Sequence, residues 1–348
     1  MEYSEIISSI QQIDNNIEPK INISKLLLEH DCLYLLTRIN KNDDYIESAK
    51  IKIISNLLIS KICHHACLNV FNELSSIPYA VIKGAVLSKT IYDRFGLRSS
   101  GDIDILVSKD NIDTIKEILH ENGFIQGKII SNEIVPYTRK ELIFQAVNSH
   151  QIAPFMKYTN NSLYPFVNID INIDIMWGEN DNKANIDYVL NYIVDDHIWN
   201  CNIKKLISEI EFITLCLHNY KDLNSIYLLS QRGIKLRLFC DIYYYIKHNK
   251  LDINKLKQLS ETLCVSEYIY YCLYYTNIIF NNDKLIDLIK CFKKDDELIK
   301  SFGLSKSERK EWKIEFYDRI FDKEFNERFY SFLSKDDIIK IEKNKYFM

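Results

Sequence analysis

The sequence predicts an α+β fold: a mixed sheet with flanking helices, preceded by N-terminal helices and followed by a C-terminal helical domain. Three observations predict it. Residues 76–178 alternate short apolar strand-like runs with amphipathic helical stretches. Residues 1–75 carry apolar residues at helical spacing, among them Leu26, Leu27, Leu28, Leu35 and Leu36, then Ile51, Ile53, Ile54, Leu57, Leu58 and Ile62. From Ala184 onward glycine and proline nearly vanish and the pattern is helical to the end. At ~150 residues per domain, 348 residues imply about two domains. We place the divisions at 1–75, 76–178 and 184–348.

Taken in order, the N-terminal helices are interrupted by polar residues at Asn40 to Asp44 and contain Cys63-His64-His65-Ala66-Cys67. On a helix Cys63 and Cys67 stand one turn apart, half of a zinc site. A closed structural site needs four ligands and no second pair follows, so helix packing is the reading. Tyr79 to Ile82 form a short strand that ends at Lys83-Gly84. A helix with Val86, Leu87, Ile91 and Phe95 on its apolar stripe comes next. Arg98, Ser99, Ser100 and Gly101 lead into a second strand, Asp-Ile-Asp-Ile-Leu-Val from Asp102 to Val107. A helix over about Lys109 to Asn122 carries Ile112, Ile115, Ile118 and Leu119 and stops at Gly123. Further strands are expected at Phe124 to Ile130, Leu142 to Val147 and Phe166 to Met176, with Pro136, Pro154 and Pro165 in the intervening loops. In the C-terminal part, the tyrosine runs at Tyr243 to Tyr245 and Tyr268 to Tyr275 fit helix–helix packing.

The chemistry concentrates between Ile82 and Val107. Carboxylates are costly in a buried strand unless something compensates their charge, and a divalent metal is the usual compensation. Strand side chains alternate faces, so Asp102 and Asp104 project from one face, ~6.6 Å apart along the chain, while Ile103, Ile105 and Val107 enter the core. That spacing suits one magnesium, or two about 3.5–4 Å apart. Magnesium takes hard oxygen ligands, commonly one or two carboxylates with substrate phosphates and water. Gly84 lets a phosphate approach the backbone closely, and the helix that follows presents unpaired N–H groups to an anion. Lys83 adds a point charge, and Arg98 is placed to clamp phosphate oxygens bidentately. Together these features point to nucleotidyl transfer. The competing reading of Asp102 and Asp104 is an edge strand with solvated aspartates.

The run Lys83-Gly84, then Leu87, Tyr92 and Arg98, then Gly101-Asp102-Ile103-Asp104-Ile105-Leu106-Val107 resembles the nucleotidyltransferase fold of the DNA polymerase β superfamily, and within it a branch of uncharacterised nucleotidyltransferases. That branch carries a later strand reading apolar-Asp-apolar-His-Trp. Asn172-Ile173-Asp174-Ile175-Met176-Trp177 matches it, with Met176 in place of His. Leu215-Cys216-Leu217-His218 and Gly233 to Tyr245 are similar to its helical half, so the resemblance spans residues 60–250.

The resemblance implies a polymerase β-like core and three catalytic carboxylates, two of them binding both metals and a third binding one metal and helping to activate the acceptor hydroxyl. We assign Asp102, Asp104 and Asp174 as the metal-binding and catalytic set. Asp170 lies on the same strand face as Asp174 and is its rival for the third place. The expected cofactor is Mg2+, two ions, with Mn2+ as a substitute. Nucleotide contacts are assigned to Lys83, Gly84, Arg98, Lys235, Arg237 and Asp241. Ser88 supplies a hydroxyl where many relatives have serine after the glycine and this chain has Ala85. Arg237 and Asp241, four apart, are equally suited to an ion pair within a helix, and His218 to a core position.

The expected reaction moves an NMP group from ATP or another nucleoside triphosphate to a hydroxyl of a small-molecule or carrier-bound acceptor, releasing pyrophosphate, in a biosynthetic setting. Alternatives are a toxin-type nucleotidyltransferase that modifies RNA and an inactive nucleotide-binding scaffold. A net charge of −4 and a pI near 6.1 argue against a nucleic-acid partner. No apolar run reaches the roughly 18 residues of a membrane span. The start, MEYSEIISSI, has no leader character. Nine cysteines scattered in apolar segments suit reduced thiols in the cytoplasm.

Overall fold

The computed structural model describes residues 2–40, 43–178 and 183–347. The chain is α+β and divides into two compact units, one formed by residues 51–214 and the other by residues 1–50 with 215–348. The boundaries fall inside the helices Asp44–Ala66 and Ser208–Asn224. Of the three segments read from the sequence, 76–178 lies wholly in the first of these units, whereas 1–75 and 184–348 are each shared between both.

The 51–214 unit is built on eight strands: β1 (Tyr79–Val81), β2 (Asp102–Val107), β3 (Ile125–Ile130), β4 (Glu133–Pro136), β5 (Phe155–Tyr158), β6 (Phe166–Asn172), β7 (Ile193–Ile198) and β8 (Cys201–Leu206). Their order across the mixed sheet is β4-β3-β5-β6-β2-β1-β8-β7. β2 is antiparallel to β1 and parallel to β6, which places Asp104 directly beside Asp170. Alternation then does what the pattern requires. Ile103, Ile105 and Val107 join Val167, Ile169, Ile171 and Phe155 in one buried core, closed by Val70, Phe71, Ile115 and Leu119 from the covering helices. The polar residues of β2 and β6 are left on the opposite face.

The sequence reading does not include β4, which ends at the expected loop residue Pro136, or β5, and three further elements differ from it. The expected strand Leu142 to Val147 is part of a helix, Arg139–Asn148. Its start is a capping box in which the Thr138 hydroxyl accepts the Glu141 N–H and the Glu141 carboxylate accepts the Thr138 N–H. The strand expected to run to Met176 ends at Asn172, and the chain bends from Ile173 onward. Residues after Ala184 are not helical throughout: β7 and β8 form a hairpin on the sheet edge, and Ser301–Phe302 pairs with Lys310–Glu311.

In the other unit, residues 3–14 form a helix whose Asp14 is buried. Its carboxylate accepts hydrogen bonds from the Tyr243 and Tyr244 hydroxyls and from Lys247 Nζ at 2.7–2.9 Å. Tyr271 and Tyr275 are buried with their hydroxyls bonded to Asn224 Oδ1 and the Ile299 carbonyl. These tyrosine runs are therefore helix-packing residues with satisfied polar tips. Removing the buried acceptor in Asp14→Ala strands two hydroxyls and an ammonium. It is expected to cost about 2–4 kcal/mol of stability, read by urea denaturation. No helix among the described residues is long and apolar enough to cross a membrane.

Candidate functional site

The site sits where β1, β2 and β6 run side by side. β1 delivers the chain to Lys83, in extended conformation, and Gly84, whose φ of 63° lies in the left-handed region. The helix Gly84–Tyr92 begins there with no side-chain cap, so its first N–H groups are left for another acceptor. A Cβ at Gly84 would come 2.7 Å from Ser100 Oγ and 3.5 Å from the Asp102 carbonyl oxygen. The turn thus lies directly against the lead-in to β2. Ser100 is buried, and its hydroxyl has no hydrogen-bond partner among the described residues.

Asp102 and Asp104 project from β2 opposite Asn168 and Asp170 of β6, and Asn172 stands one alternation further along β6, opposite Leu106. Asp104 is 4% exposed, and its Oδ1 collects three donors: Lys83 Nζ at 2.8 Å, Asn172 Nδ2 at 3.2 Å and Gln151 Nε2 at 3.4 Å. Asn172 is itself buried and accepts Gln151 Nε2 at 3.0 Å. Asn168 Nδ2 donates to Asp170 Oδ1 at 2.9 Å.

Electrostatics identify the same group. Burial, then repulsion from Asp104 and Asp102, pushes the Asp170 carboxyl up to about 7. Burial and then Asp104 raise Asp102 as well, partly opposed by Lys83 and Arg98. Burial pulls Lys83 down, but the adjacent Asp104 outweighs it and holds the ammonium above its usual range. A carboxyl whose folded pKa exceeds its unfolded value binds more protons when folded, so its contribution to stability falls as pH rises between the two values. For Asp170 that window runs from the ordinary carboxylate range to about 7. In metal-free buffer, Asp170→Asn is therefore expected to gain thermal stability relative to the parent as pH is raised from 5 to 7.5, checked by melting curves in a chelator.

The sequence-assigned residues do not all come together. Lys83, Gly84, Arg98, Asp102 and Asp104 are brought together, Arg98 being buried and close enough to Asp102 to favour its charged form. Asp174 is not among them. It lies two residues beyond the end of β6, and its Oδ1 accepts the backbone N–H of Met176 at 2.9 Å and of Ala184 at 3.4 Å. β6 ends before Asp174, so the acidic residue of that strand paired with β2 is its rival Asp170, opposite Asp104. Ser88 Oγ donates to the Arg94 carbonyl at 2.9 Å and is committed to that helix end. Lys235, Arg237 and Asp241 belong to the other compact unit. There, Lys235 Nζ donates to the Glu29 carbonyl, and Arg237 Nη1 pairs with the fully buried Asp241 at 2.8 Å. His218 Nε2 lies 3.6 Å from Asp222 Oδ2 on the same helix.

Sequence reasoning passed over Ser100, Gln151, Asn168 and Asn172. Ser100 read as a flexible lead-in, although a hydroxyl adjoining Gly101-Asp102 was a signal. Asn172 was visible at period two from Asp170, whereas nothing local marks Gln151.

The donor set suits a hard dication, since its free atoms are carboxylate oxygens and Asp104 Oδ2 carries no hydrogen bond among the described residues. As it stands, however, no group of three or more His, Cys, Asp or Glu among the described residues is arranged to hold a metal ion. The cation beside Asp104 is Lys83. Cys63, His64 and Cys67 are fully buried; His64 Nδ1 bonds the Ser60 carbonyl and Cys63 Sγ the Gly101 carbonyl, consistent with packing. All nine cysteines are free thiols.

A family model described as an uncharacterised nucleotidyltransferase matches residues 58–281, which include every residue of this site. No curated protein and no solved structure matched the chain.

Proposed function

The chain belongs to the uncharacterised nucleotidyltransferase family, and from that premise we propose that it moves an NMP group from a nucleoside triphosphate to a hydroxyl of a small-molecule or carrier-bound acceptor. The observation that carries this reading is the alignment of Asp102, Asp104 and Asp170 on neighbouring parallel strands beside the Lys83-Gly84 turn. A polymerase β-like core is the arrangement we assign to β1, β2, β6 and the helix Gly84–Tyr92.

The triphosphate docks at the uncapped N-terminus of that helix. Gly84 leaves room for the Ser100 hydroxyl that a Cβ would crowd, that hydroxyl supplies the donor that the glycine's neighbour Ala85 lacks, and Lys83 and Arg98 balance charge. Asp102, Asp104 and Asp170 would hold magnesium, which when bound polarises the α-phosphoryl group and neutralises the leaving pyrophosphate. Gln151 and Asn172 fix the Asp104 carboxylate through Oδ1. Asp170, cross-strand from Asp104, is the carboxylate that would take the acceptor's hydroxyl proton. The acceptor oxygen forms a bond to the α-phosphorus, the bond from that phosphorus to the β-bridging oxygen breaks, and pyrophosphate departs. Positioning and preorganised charge supply the rate.

The test is incubation of the purified protein with each α-labelled nucleoside triphosphate, Mg2+ or Mn2+, and a cell extract. Pyrophosphate release with label in a small-molecule or carrier fraction is the expected result. Label in RNA would move the acceptor to nucleic acid, and no release with any triphosphate and either ion would overturn the proposal.

A further inference from the structure

Asp104 Oδ1 is the most heavily donated atom in the site. Lys83 Nζ, Asn172 Nδ2 and Gln151 Nε2 all reach it, at 2.8, 3.2 and 3.4 Å. A carboxylate oxygen offers about two lone-pair directions, so Oδ1 is fully occupied, and an ion at Asp104 would take the free Oδ2 of the carboxylate that already holds the Lys83 ammonium. The three are not equally held. Asn172 is anchored on β6, where its Nδ2 also reaches the Ile105 carbonyl and its Oδ1 accepts Gln151. Lys83 stands at a turn, on a flexible four-carbon stem, and has no other hydrogen bond among the described residues. It is also the one charged donor of the three. Its neighbour in sequence, Gly84, opens the uncapped helix where we dock the triphosphate.

We infer that Lys83 is an exchangeable cation. Without nucleotide it neutralises Asp104 in the position a divalent ion would neutralise. When the metal–triphosphate complex arrives, the ammonium passes to the phosphates and Asp104 to the metal. This rests on the nucleotidyl-transfer reading above and adds an order of events to it: the ion binds weakly alone and strongly with the triphosphate, because one lysine serves both. Charge supports the exchange. Asp102, Asp104 and Asp170 face Lys83 and Arg98, three formal negative charges against two positive. A dication added with Lys83 still in place leaves an excess of positive charge and a like-charge contact at Asp104. The same dication arriving with a polyanion that draws Lys83 away creates neither. Gln151 and Asn172 stay behind and hold the carboxylate rotamer, so the exchange needs side-chain rotation alone.

Mn2+ binding, followed by electron paramagnetic resonance without nucleotide, tests this directly in the full chain. Lys83→Met and Lys83→Gln should each bind the ion more tightly than the parent, by about 5- to 150-fold, the usual span of a coupling between two ligands. Asp104→Asn should bind it less. A non-hydrolysable triphosphate should tighten Mn2+ binding strongly in the parent and much less in the Lys83 variants. Lys83→Gln keeps a donor to Asp104 and guards against a folding failure of Lys83→Met. Mn2+ should raise the melting temperature of either variant more than that of the parent. Parent-like or weaker ion binding by the Lys83 variants, with Asp104→Asn still impaired, would overturn the exchange and leave the nucleotidyl-transfer reading standing. Mn2+ binding that is equal in all four proteins, with and without the triphosphate, would remove both.

Discussion

Asp102→Asn and Asp170→Asn are each expected to lower nucleotidyl transfer by about 10²–10³-fold or more, while Asp174→Asn stays within a few-fold of the parent. The contrast comes from the sheet. β2 and β6 are parallel and in register, so Asp104 and Asp170 are cross-strand neighbours, and Asp102 stands one alternation away on the same face. Burial raises Asp102 and Asp170 most, then repulsion from Asp104, with Asp102 adding to Asp170, and that repulsion is what a bound dication would relieve. Asparagine keeps the shape and removes the charge, so the fold should survive. For Asp170 it should survive better than in the parent above pH 7, where the lost charge was unfavourable. Asp174 has different work. Its Oδ1 accepts the Met176 and Ala184 N–H groups and pins the chain after β6. An asparagine oxygen does the same, so the substitution is conservative there. Pyrophosphate release under saturating triphosphate, with circular dichroism on each variant, separates the cases. If Asp174→Asn is inactive and Asp170→Asn retains turnover, the third carboxylate is Asp174 and the strand-register argument is wrong.

That assignment also marks what the sequence could and could not convey. β2 and the start of β6 were legible because period-two alternation of Ile and Val against Asp and Asn has one reading, a strand with a polar face, and β1 because its short apolar run stops at Lys83-Gly84. The length of β6 was not. Period-two alternation continues through Asp174 and Met176 with no glycine or proline at the bend, and the Ala184 N–H that donates to Asp174 beyond it is a contact made only on folding. The helix Arg139–Asn148 was read as a strand from its apolar stretch, although Thr138 and Glu141 spelled its cap. The β7–β8 hairpin went unseen because its two-residue turn uses Trp199 at a φ of 55°, where glycine, asparagine or aspartate would have announced it. The site was thus legible in its charged residues, whose cost demands a reason. It was opaque in Ser100, Gln151 and Asn172, whose roles exist only through neighbours brought together by folding.

Gly84→Ala is the second substitution with a large expected effect, because two independent costs meet at one atom. A left-handed φ of 63° costs a non-glycine residue roughly 1–2 kcal/mol. The new Cβ would also stand 2.7 Å from Ser100 Oγ, closer than real contacts allow, so the hydroxyl must swing away. That hydroxyl is the donor we assign to the triphosphate, and its displacement should weaken nucleotide binding by about tenfold beyond the backbone effect, the worth of one typical hydrogen bond to a charged group. Ser100→Ala relieves the clash, since its Cβ lies 3.7 Å from the added carbon. In the double variant Gly84→Ala/Ser100→Ala, stability should therefore recover to the level set by φ alone, while nucleotide affinity stays at the level of Ser100→Ala. A double-mutant cycle with both measurements resolves the two costs. If Ser100→Ala alone leaves triphosphate binding untouched, the hydroxyl faces no phosphate, and the turn owes its glycine to backbone geometry.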